Sequence, residues 1–329
     1  MLKAGILGYG GVGSGMARIL KERGMAEVVG ACDISEEALA AARARGLKAT
    51  KDARELCSWD VDFVCVTSTN SAHYEHVMAA ARAGRHVLCE KPPALTLGQL
   101  DEMIEATEQR KLTTAVNYIR RLEPPHVKMK QMADSGELGR LMSVTCFVAR
   151  GWGLAMHGRP HPAVAHPEIS GGWLVHHACH QVDYLCWLLG PAKTAYCRSS
   201  STARGADSPE VVWGILQHEN GAMGVVGDTV GAFRQGLVSI IGTKATVQYM
   251  RTPTGDVMTT RRETGTEFPY TEDVLGFGIS RHHEGTLQAF TECLREGRPY
   301  PHDLRSTRTS FIAIQALEES RRTGQIVRL

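Results

Sequence analysis

The sequence predicts an α/β protein with a doubly wound parallel sheet in its first part and a large, mostly antiparallel open sheet in its second. The first sheet is indicated by an apolar run, Ala4 to Leu7, that leads into a glycine-rich turn, and by further apolar runs that alternate with helical stretches. The second is indicated by short alternating runs between glycine turns after Lys193. Because 329 residues are many for one core, we expect two domains, residues 1–120 and 121–329.

The turn after the first strand has the spacing of a dinucleotide-binding loop. Gly8, Gly10 and Gly13 form the pattern Gly-x-Gly-x-x-Gly. Without Cβ atoms the loop can turn tightly, a pyrophosphate can approach the backbone, and the next helix can pack closely on the strand. That helix begins around Gly11 and Val12, and we expect its N–H groups and positive dipole end to face the phosphates.

Asp33 ends the apolar run that begins at Val28, about twenty residues beyond the glycine loop. A carboxylate at this place accepts hydrogen bonds from an adenosine ribose diol and repels a 2′-phosphate. The sequence therefore favours NAD over NADP, although Arg43 and Arg45 are close enough in sequence to approach the ribose. The alternative is a structural turn followed by a solvated aspartate.

Polar residues also follow two strands that are predicted to be buried on both faces. Ligands of open parallel sheets bind beyond the carboxyl ends of the strands. Two prolines end the second of these strands and fix a charged pair where the chain emerges. We expect a cofactor crevice at this edge, lined by Thr67, Ser68, Asn70, Glu90 and Lys91.

Composition excludes several classes of function. The apolar content is 43%, the formal net charge is only +2, and basic residues are scattered, which argues against a nucleic-acid partner. The nine cysteines form no CxxC pair and lie mainly in apolar runs, as expected of reduced thiols in the cytoplasm. A first strand that starts at Leu2 leaves no room for a signal peptide, and no apolar run has the length of a membrane span.

A helix predicted to begin near Gly172 carries the second group of candidate residues. Trp173, His176 and His180 recur at helical spacing and share one face with Asp183, whereas His177 lies about 100° away. We expect His176 and His180 to be catalytic as a general acid or base oriented by the carboxylate, and both histidines and Trp173 to contact substrate. The pair His176 and His180 also suggests zinc, but too few acidic ligands stand nearby and we expect no metal.

A long stretch rich in Gly, Pro and His precedes this helix, and we expect it to bind a polyol through Trp152 and His157.

Taken together, these motifs resemble the glucose-fructose oxidoreductase, inositol dehydrogenase and MocA family. The resemblance covers essentially the whole chain. It is carried by Gly8-x-Gly10-x-x-Gly13, Asp33, Asn70 with His73, Glu90-Lys91-Pro92, Gly171-Gly172 and His180-x-x-Asp183. It implies a Rossmann domain, then an α/β domain whose sheet often forms an oligomer interface, and NAD(P)-dependent redox chemistry on sugars or cyclitols.

The resemblance also implies roles for single residues. Lys91 matches the family's proton-handling lysine, and His180 its catalytic or substrate-binding histidine. Asn117 and Arg120 match positions that approach cofactor and substrate, and His73 belongs to the cofactor motif. Where the family commonly has an Asp, this chain has His176, so both the proton relay and the substrate can differ. His282 and His283 open a late helix and receive no role.

Three functions remain open from the sequence. The first is an NAD-dependent oxidoreductase that acts on a secondary alcohol or ketone of a sugar, cyclitol or derivative, assembled as a homo-oligomer, a dimer or tetramer. The second is a redox-assisted glycoside hydrolase on the same scaffold, suggested by His176 and the histidine-rich stretch. The third is a dinucleotide-sensing interaction protein without activity, which the presence of Lys91 and His180 disfavours.

Overall fold

The computed structural model describes residues 1–150, 165–201, 209–230, 235–252, 255–263, 270–277 and 283–329. It divides into two compact units. The first consists of Met1–Ile119 and Arg281–Arg308, and the second of Arg120–Ser280 and Thr309–Leu329. The expected division at residue 120 assigns residues 121–329 to the second domain, whereas the late segment Arg281–Arg308 belongs to the first unit.

The first unit is built on a six-stranded parallel sheet with the order β3-β2-β1-β4-β5-β6. Its strands are β1 (Lys3–Leu7), β2 (Glu27–Cys32), β3 (Lys48–Thr50), β4 (Phe63–Val66), β5 (His86–Cys89) and β6 (Thr114–Val116). Its helices are α1 (Gly11–Glu22), α2 (Glu36–Ala44), α3 (Ala53–Ser58), α4 (Asn70–Arg82), α5 (Leu97–Glu108) and the late α9 (Glu284–Glu296). This is the doubly wound sheet that the sequence predicts.

The late segment returns because α9 completes the core of the first unit. Leu287 and Phe290 are fully buried in the same cluster as residues of β1 and β4. The ring of Phe290 meets that of Phe63 edge to face, with centroids 5.5 Å apart. Burial of two such side chains stabilises the folded state by roughly 3–6 kcal/mol. Local sequence patterns around either residue do not reveal this contact.

The second unit is built on a nine-stranded sheet with the order β14-β13-β12-β11-β7-β10-β9-β8-β15, parallel only between β7 and β10. Its strands are β7 (Leu141–Arg150), β8 (Ala192–Ser200), β9 (Val211–His218), β10 (Met223–Val230), β11 (Gln235–Gly242), β12 (Ala245–Thr252), β13 (Gly255–Glu263), β14 (Tyr270–Phe277) and β15 (Val327–Arg328). Its helices are α6 (Pro124–Asp134), α7 (Pro167–Ser170), α8 (Cys179–Leu189) and α10 (Arg308–Thr323). The mostly antiparallel open sheet predicted for the second part is confirmed.

The two faces of this sheet differ in exposure. Along β9, Val212, Gly214 and Leu216 are buried, whereas Trp213 and Ile215 on the other face are 46% and 44% exposed. None of the helices in the described ranges is long and apolar enough to cross a membrane. All nine cysteines are free and buried.

Candidate active site

The glycine loop of the first unit has the geometry that a pyrophosphate requires. Gly8 has a φ of +99°, and a Cβ there would lie 2.3 Å from the backbone nitrogen of Ser68. A Cβ on Gly13 would lie 1.9 Å from the carbonyl oxygen of Gly8. A Cβ on Gly10 or Gly11, by contrast, would meet no described atom within 4 Å beyond the neighbouring backbone, so a ligand can approach there. No side chain caps the start of α1, which leaves its first N–H groups for phosphate oxygens.

The carboxylate of Asp33 is held at the end of β2 by two backbone groups. The N–H of Tyr9 donates to Oδ2 at 2.7 Å, and the N–H of Ser35 donates to Oδ1 at 2.9 Å. A carboxylate has about four lone-pair sites, so acceptor positions remain for a ribose diol. The guanidinium of Arg45 donates to the Tyr9 hydroxyl at 3.3 Å, and Arg43 lies 3.7 Å from a carboxylate oxygen of Glu36. Both arginines thus have protein partners.

The turn after β4 is tied to the glycine loop. The Thr67 hydroxyl donates to the carbonyl of Gly8 at 2.6 Å, and the Ser68 hydroxyl contacts Nδ1 of His76 at 2.9 Å. Asn70, at the start of α4, is 8% exposed. The predicted crevice residues Thr67 and Ser68 therefore lie directly beside the loop that is shaped for the pyrophosphate.

His73 joins this turn to the turn after β5. The imidazole is fully buried, with Nδ1 2.8 Å from the carbonyl oxygen of Pro92 and Nε2 3.1 Å from that of Ser68. Burial lowers the pKa of His73, so the neutral ring donates through one nitrogen at a time. Because both nitrogens of His73 face backbone carbonyls, the ring holds the two turns together. Its direct contact with a cofactor stays a prediction.

The turn after β5 carries a buried polar cluster. Glu90, 8% exposed, accepts from its neighbour Lys91, whose N–H is 3.2 Å away, and from the side-chain amide of Asn117. The same amide nitrogen donates to Nδ1 of His283 at 2.8 Å, and this ring lies 3.5 Å from the Glu90 carboxylate. Oδ1 of Asn117 is buried and has no hydrogen-bond partner among the described residues. A buried acceptor of this kind suits the amide group of a nicotinamide.

Sequence reasoning missed His283. Its contacts with Glu90 and Asn117 join positions far apart in the chain, and no local pattern signals them. Two further predicted residues of the first unit are accessible. Lys91 is half-buried and precedes a cis peptide bond, and Val12 is 41% exposed in the first turn of α1.

In the second unit, a π-helical turn, Leu174–Ala178, leads into α8 and carries the predicted histidines. His176 and His180 are half-buried, and Nδ1 of His180 is buried. Trp173 is fully buried, and its indole N–H donates to Oδ1 of Asp228 at 2.9 Å. The expectation that Trp173 contacts substrate is therefore wrong for this structure, because its ring has no accessible surface.

The carboxylate expected to orient His180 serves other groups. Both oxygens of Asp183 bind the guanidinium of Arg121, at 2.8 and 2.6 Å, and the Ser310 hydroxyl donates to Oδ1 at 2.8 Å. It is His177 that has a carboxylate partner, Asp228 on β10, at 2.7 Å. The helical-face argument failed because packing against the sheet decides which side chain meets a carboxylate, and spacing along the helix does not.

The other predicted substrate residues are Arg120, Trp152 and His157. Nη1 of Arg120 is buried without a hydrogen-bond partner in the described part of the chain, which suits a donor to a substrate oxygen. Trp152 and His157 lie outside the described residues. Within the described ranges, no three His, Cys, Asp or Glu side chains are grouped so that they could hold a metal ion.

Two family models match the chain. Residues 2–118 match the oxidoreductase family model with an NAD-binding Rossmann fold, and residues 126–248 match the GFO/IDH/MocA C-terminal domain. Both describe one family, in the order seen here. The chain belongs to the GFO/IDH/MocA oxidoreductases, and its first unit is an NAD-binding Rossmann domain.

Individual relatives agree with this assignment. Inositol 2-dehydrogenase of Salmonella typhimurium is 31% identical over 222 residues, 64% of this chain and 62% of that protein. The 1,5-anhydro-D-fructose reductase of Ensifer adhaerens is 33% identical over 174 residues, 50% and 49% of the two chains. Each match spans less than two thirds of the relative. A structure of levoglucosan dehydrogenase with NADH has a TM-score of 0.88 at 21% identity, over 99% of this chain and 98% of that one, and shows the same fold.

Proposed function

We propose that this protein is an NAD-dependent dehydrogenase or reductase acting on a secondary alcohol or ketone of a sugar, cyclitol or sugar derivative. The observation that carries the proposal lies in the first unit. There the glycine loop, Asp33 and the cluster around Glu90 stand at the carboxyl edge of one parallel sheet. The names of the relatives, an inositol dehydrogenase and an anhydrofructose reductase, support the substrate class.

Each candidate residue receives a role. When bound, NAD supplies the hydride acceptor or donor at its nicotinamide ring. Lys91 moves the proton of the substrate hydroxyl, and His180 is the second acid-base group. Oδ1 of Asn117 accepts from the nicotinamide amide, and Glu90 with His283 holds that asparagine in place. His176 and Arg120 bind substrate oxygens. Because His176 stands where the family commonly has an aspartate, the preferred arrangement of hydroxyl groups on the substrate differs from that of relatives with the aspartate.

The test is a search for substrate-dependent NADH formation or consumption. Purified protein is assayed against inositols, anhydrosugars, aldoses, ketoses and sugar acids, with NADH absorbance as the readout. We expect at least one strong substrate, and we expect Lys91→Ala to lower kcat by about 10²–10⁴-fold while NADH still binds, since the lysine acts on the proton. The exposed Lys128→Ala is the matched control.

Two results would contradict the proposal. One is a protein that binds NADH but turns over no member of the panel. The other is release of aglycone from a glycoside with catalytic NAD and no net NADH, which would establish the redox-assisted hydrolase instead.

We further propose that the protein forms a homo-oligomer through the open face of the second sheet and works in the reducing cytoplasm. The nine free cysteines support the compartment. The oligomer is supported by an apolar row across five strands, in which Met250, Leu237, Phe147, Gly227 and Trp213 are neighbours in register. A second copy of the chain, with the same apolar face, would cover it.

A further inference from the structure

A buried carboxylate in the second unit holds three side chains of the segment 173–181, which we call the histidine segment. Asp228 on β10 is fully buried. Its Oδ1 accepts from the indole of Trp173 at 2.9 Å. Its Oδ2 accepts from Nδ1 of His177 at 2.7 Å and from the side-chain amide of Gln181. One carboxylate from the sheet thus binds donors from successive turns of the histidine segment.

These three donors form a stripe along the segment. Trp173, His177 and Gln181 are spaced by four residues and therefore lie nearly above one another. His176 and His180 each precede a member of the stripe by one residue, a rotation of about 100° around the helix. Anchoring the stripe to Asp228 therefore turns His176 and His180 away from that carboxylate, and both are half-buried.

The hydrogen bonds also fix the proton on His177. Its Nδ1 faces the Asp228 carboxylate, which accepts only, and its Nε2 lies 3.2 Å from Nε of Arg150, which donates only. A neutral imidazole has one donor and one acceptor nitrogen, so these partners require the hydrogen on Nδ1. The ring is further held by Trp173, which stacks on it at 4.7 Å with planes 12° apart.

Two groups are oriented by this ring. The ring of His180 meets that of His177 edge to face, with centroids 6.0 Å apart and planes at 76°. Arg150 is the last residue of β7, and its Nε donates to Nε2 of His177. This hydrogen bond fixes the plane of the guanidinium. His177 is only 4% exposed, so it acts on the site through these neighbours and not by direct contact with a substrate.

We propose that Asp228 and His177 are a positioning pair, in which the carboxylate fixes the Nδ1–H tautomer of the histidine and the histidine orients His180 and Arg150. The kinetic part of this inference rests on the proposed function, because it assigns His180 an acid-base role. The tautomer and the contacts do not depend on it.

The kinetic test uses variants that remove or restore the hydrogen bonds. In Asp228→Asn the single acceptor oxygen cannot serve Trp173 on one side and His177 on the other. His177→Leu removes donor and acceptor together, whereas His177→Gln offers an amide N–H to the carboxylate and a carbonyl to Arg150. We expect Asp228→Asn and His177→Leu to lower kcat by about 10–100-fold, and His177→Gln to recover most of that loss.

Controls separate positioning from loss of folding. Rates are expressed per NADH-binding site, titrated by fluorescence, because the Rossmann domain binds NADH without residues of this pair. Asp134→Asn, an exposed partner of Lys130, is the matched substitution in the same unit and is expected to keep the wild-type kcat. Equal rates per site in His177→Leu and the wild type would overturn the proposal, as would a His177→Gln variant as slow as His177→Leu.

A spectroscopic test on the wild-type protein needs no enzymatic activity. The protein is labelled with ¹⁵N-histidine, and the ring nitrogens of His177 are assigned by their loss in His177→Gln. We expect hydrogen on Nδ1 and a lone pair on Nε2. Hydrogen on Nε2 of the wild-type ring would refute the positioning pair, even in a protein that oxidises sugars. The Nδ1–H form would support it, even in a protein inactive on the whole panel.

Discussion

The carboxylate of Asp33 is held in a fixed orientation that suits its proposed role, recognition of a ribose. The backbone N–H groups of Tyr9 and Ser35 fix both of its oxygens, so the carboxylate does not have to be ordered when a ligand arrives. The nearest arginines in sequence, Arg43 and Arg45, contact Glu36 and the Tyr9 hydroxyl. At this site the negative charge therefore dominates, which favours a ribose diol over a 2′-phosphate.

This geometry predicts the effect of Asp33→Ser on cofactor choice. We expect NADH binding to weaken by about 10–100-fold, because a hydrogen bond to a charged group contributes about 1.5–3 kcal/mol. NADPH binding should weaken less or improve, because the repulsion of its phosphate is removed. Fluorescence titration with both cofactors measures the ratio. Asp60→Ser, which alters only an exposed pair with Lys3, is the control, and an unchanged NADH to NADPH ratio would refute the argument.

At the scale of elements, a buried ion pair joins three parts of the second unit. Asp183 on α8 binds Arg121, from the short 3₁₀ turn Ile119–Arg121, and Ser310 at the start of α10. The side chains of Arg121 and Asp183 are 5% and 1% exposed. Removing one partner leaves the other charge buried without compensation, which is costly. The pair therefore fixes how the two helices and the turn meet.

We predict that Asp183→Asn destabilises the protein by about 3–5 kcal/mol, the usual cost of breaking a buried pair. Ser310→Ala should cost less, about 1.5–3 kcal/mol, since one hydrogen bond to the charged carboxylate is lost. Urea unfolding followed by circular dichroism measures both. An Asp183→Asn protein as stable as the wild type but without activity would instead return this residue to the role expected from the sequence, the orientation of His180.

The open sheet face is the feature that concerns the whole molecule. The rings of Phe147 and Trp213 stack at 5.4 Å with planes 14° apart, although β10 separates their strands. Gly227 between them makes this possible, because a Cβ there would lie 2.8 Å from one ring and 2.9 Å from the other. Ile215 and Met250 extend the patch, 44% and 46% exposed. A contiguous apolar surface of this kind is typical of an interface.

We expect Ile215→Lys to shift the assembly towards monomers. An ammonium placed in an apolar interface costs several kcal/mol, so the dissociation constant should rise by at least about 100-fold. Light scattering coupled to gel filtration, over a range of protein concentrations, measures the mass. Ile326→Lys, at a site that is 67% exposed near the C-terminus, is the matched control. A wild-type protein that is monomeric at every concentration would contradict the proposed oligomer.

What was predictable from sequence depended on short-range patterns. The glycine loop, the carboxylate of Asp33 and the polar strand ends are adjacent in the chain to the strands that place them, so period and spacing sufficed. The same holds for the run of short strands in the second unit. The positions of Lys91 and Asn117 at strand ends likewise followed from the buried runs before them.

The sequence by itself determined the strands of the two sheets, the dinucleotide loop and the segment that bears the histidines. Only the tertiary structure decided that α9 returns to the first unit, that His283 joins Glu90 and Asn117, and that Asp228 meets His177 while Asp183 meets Arg121. The physical reason is that partners of buried polar groups are chosen by desolvation and packing between distant segments, and neither leaves a periodic trace in the chain.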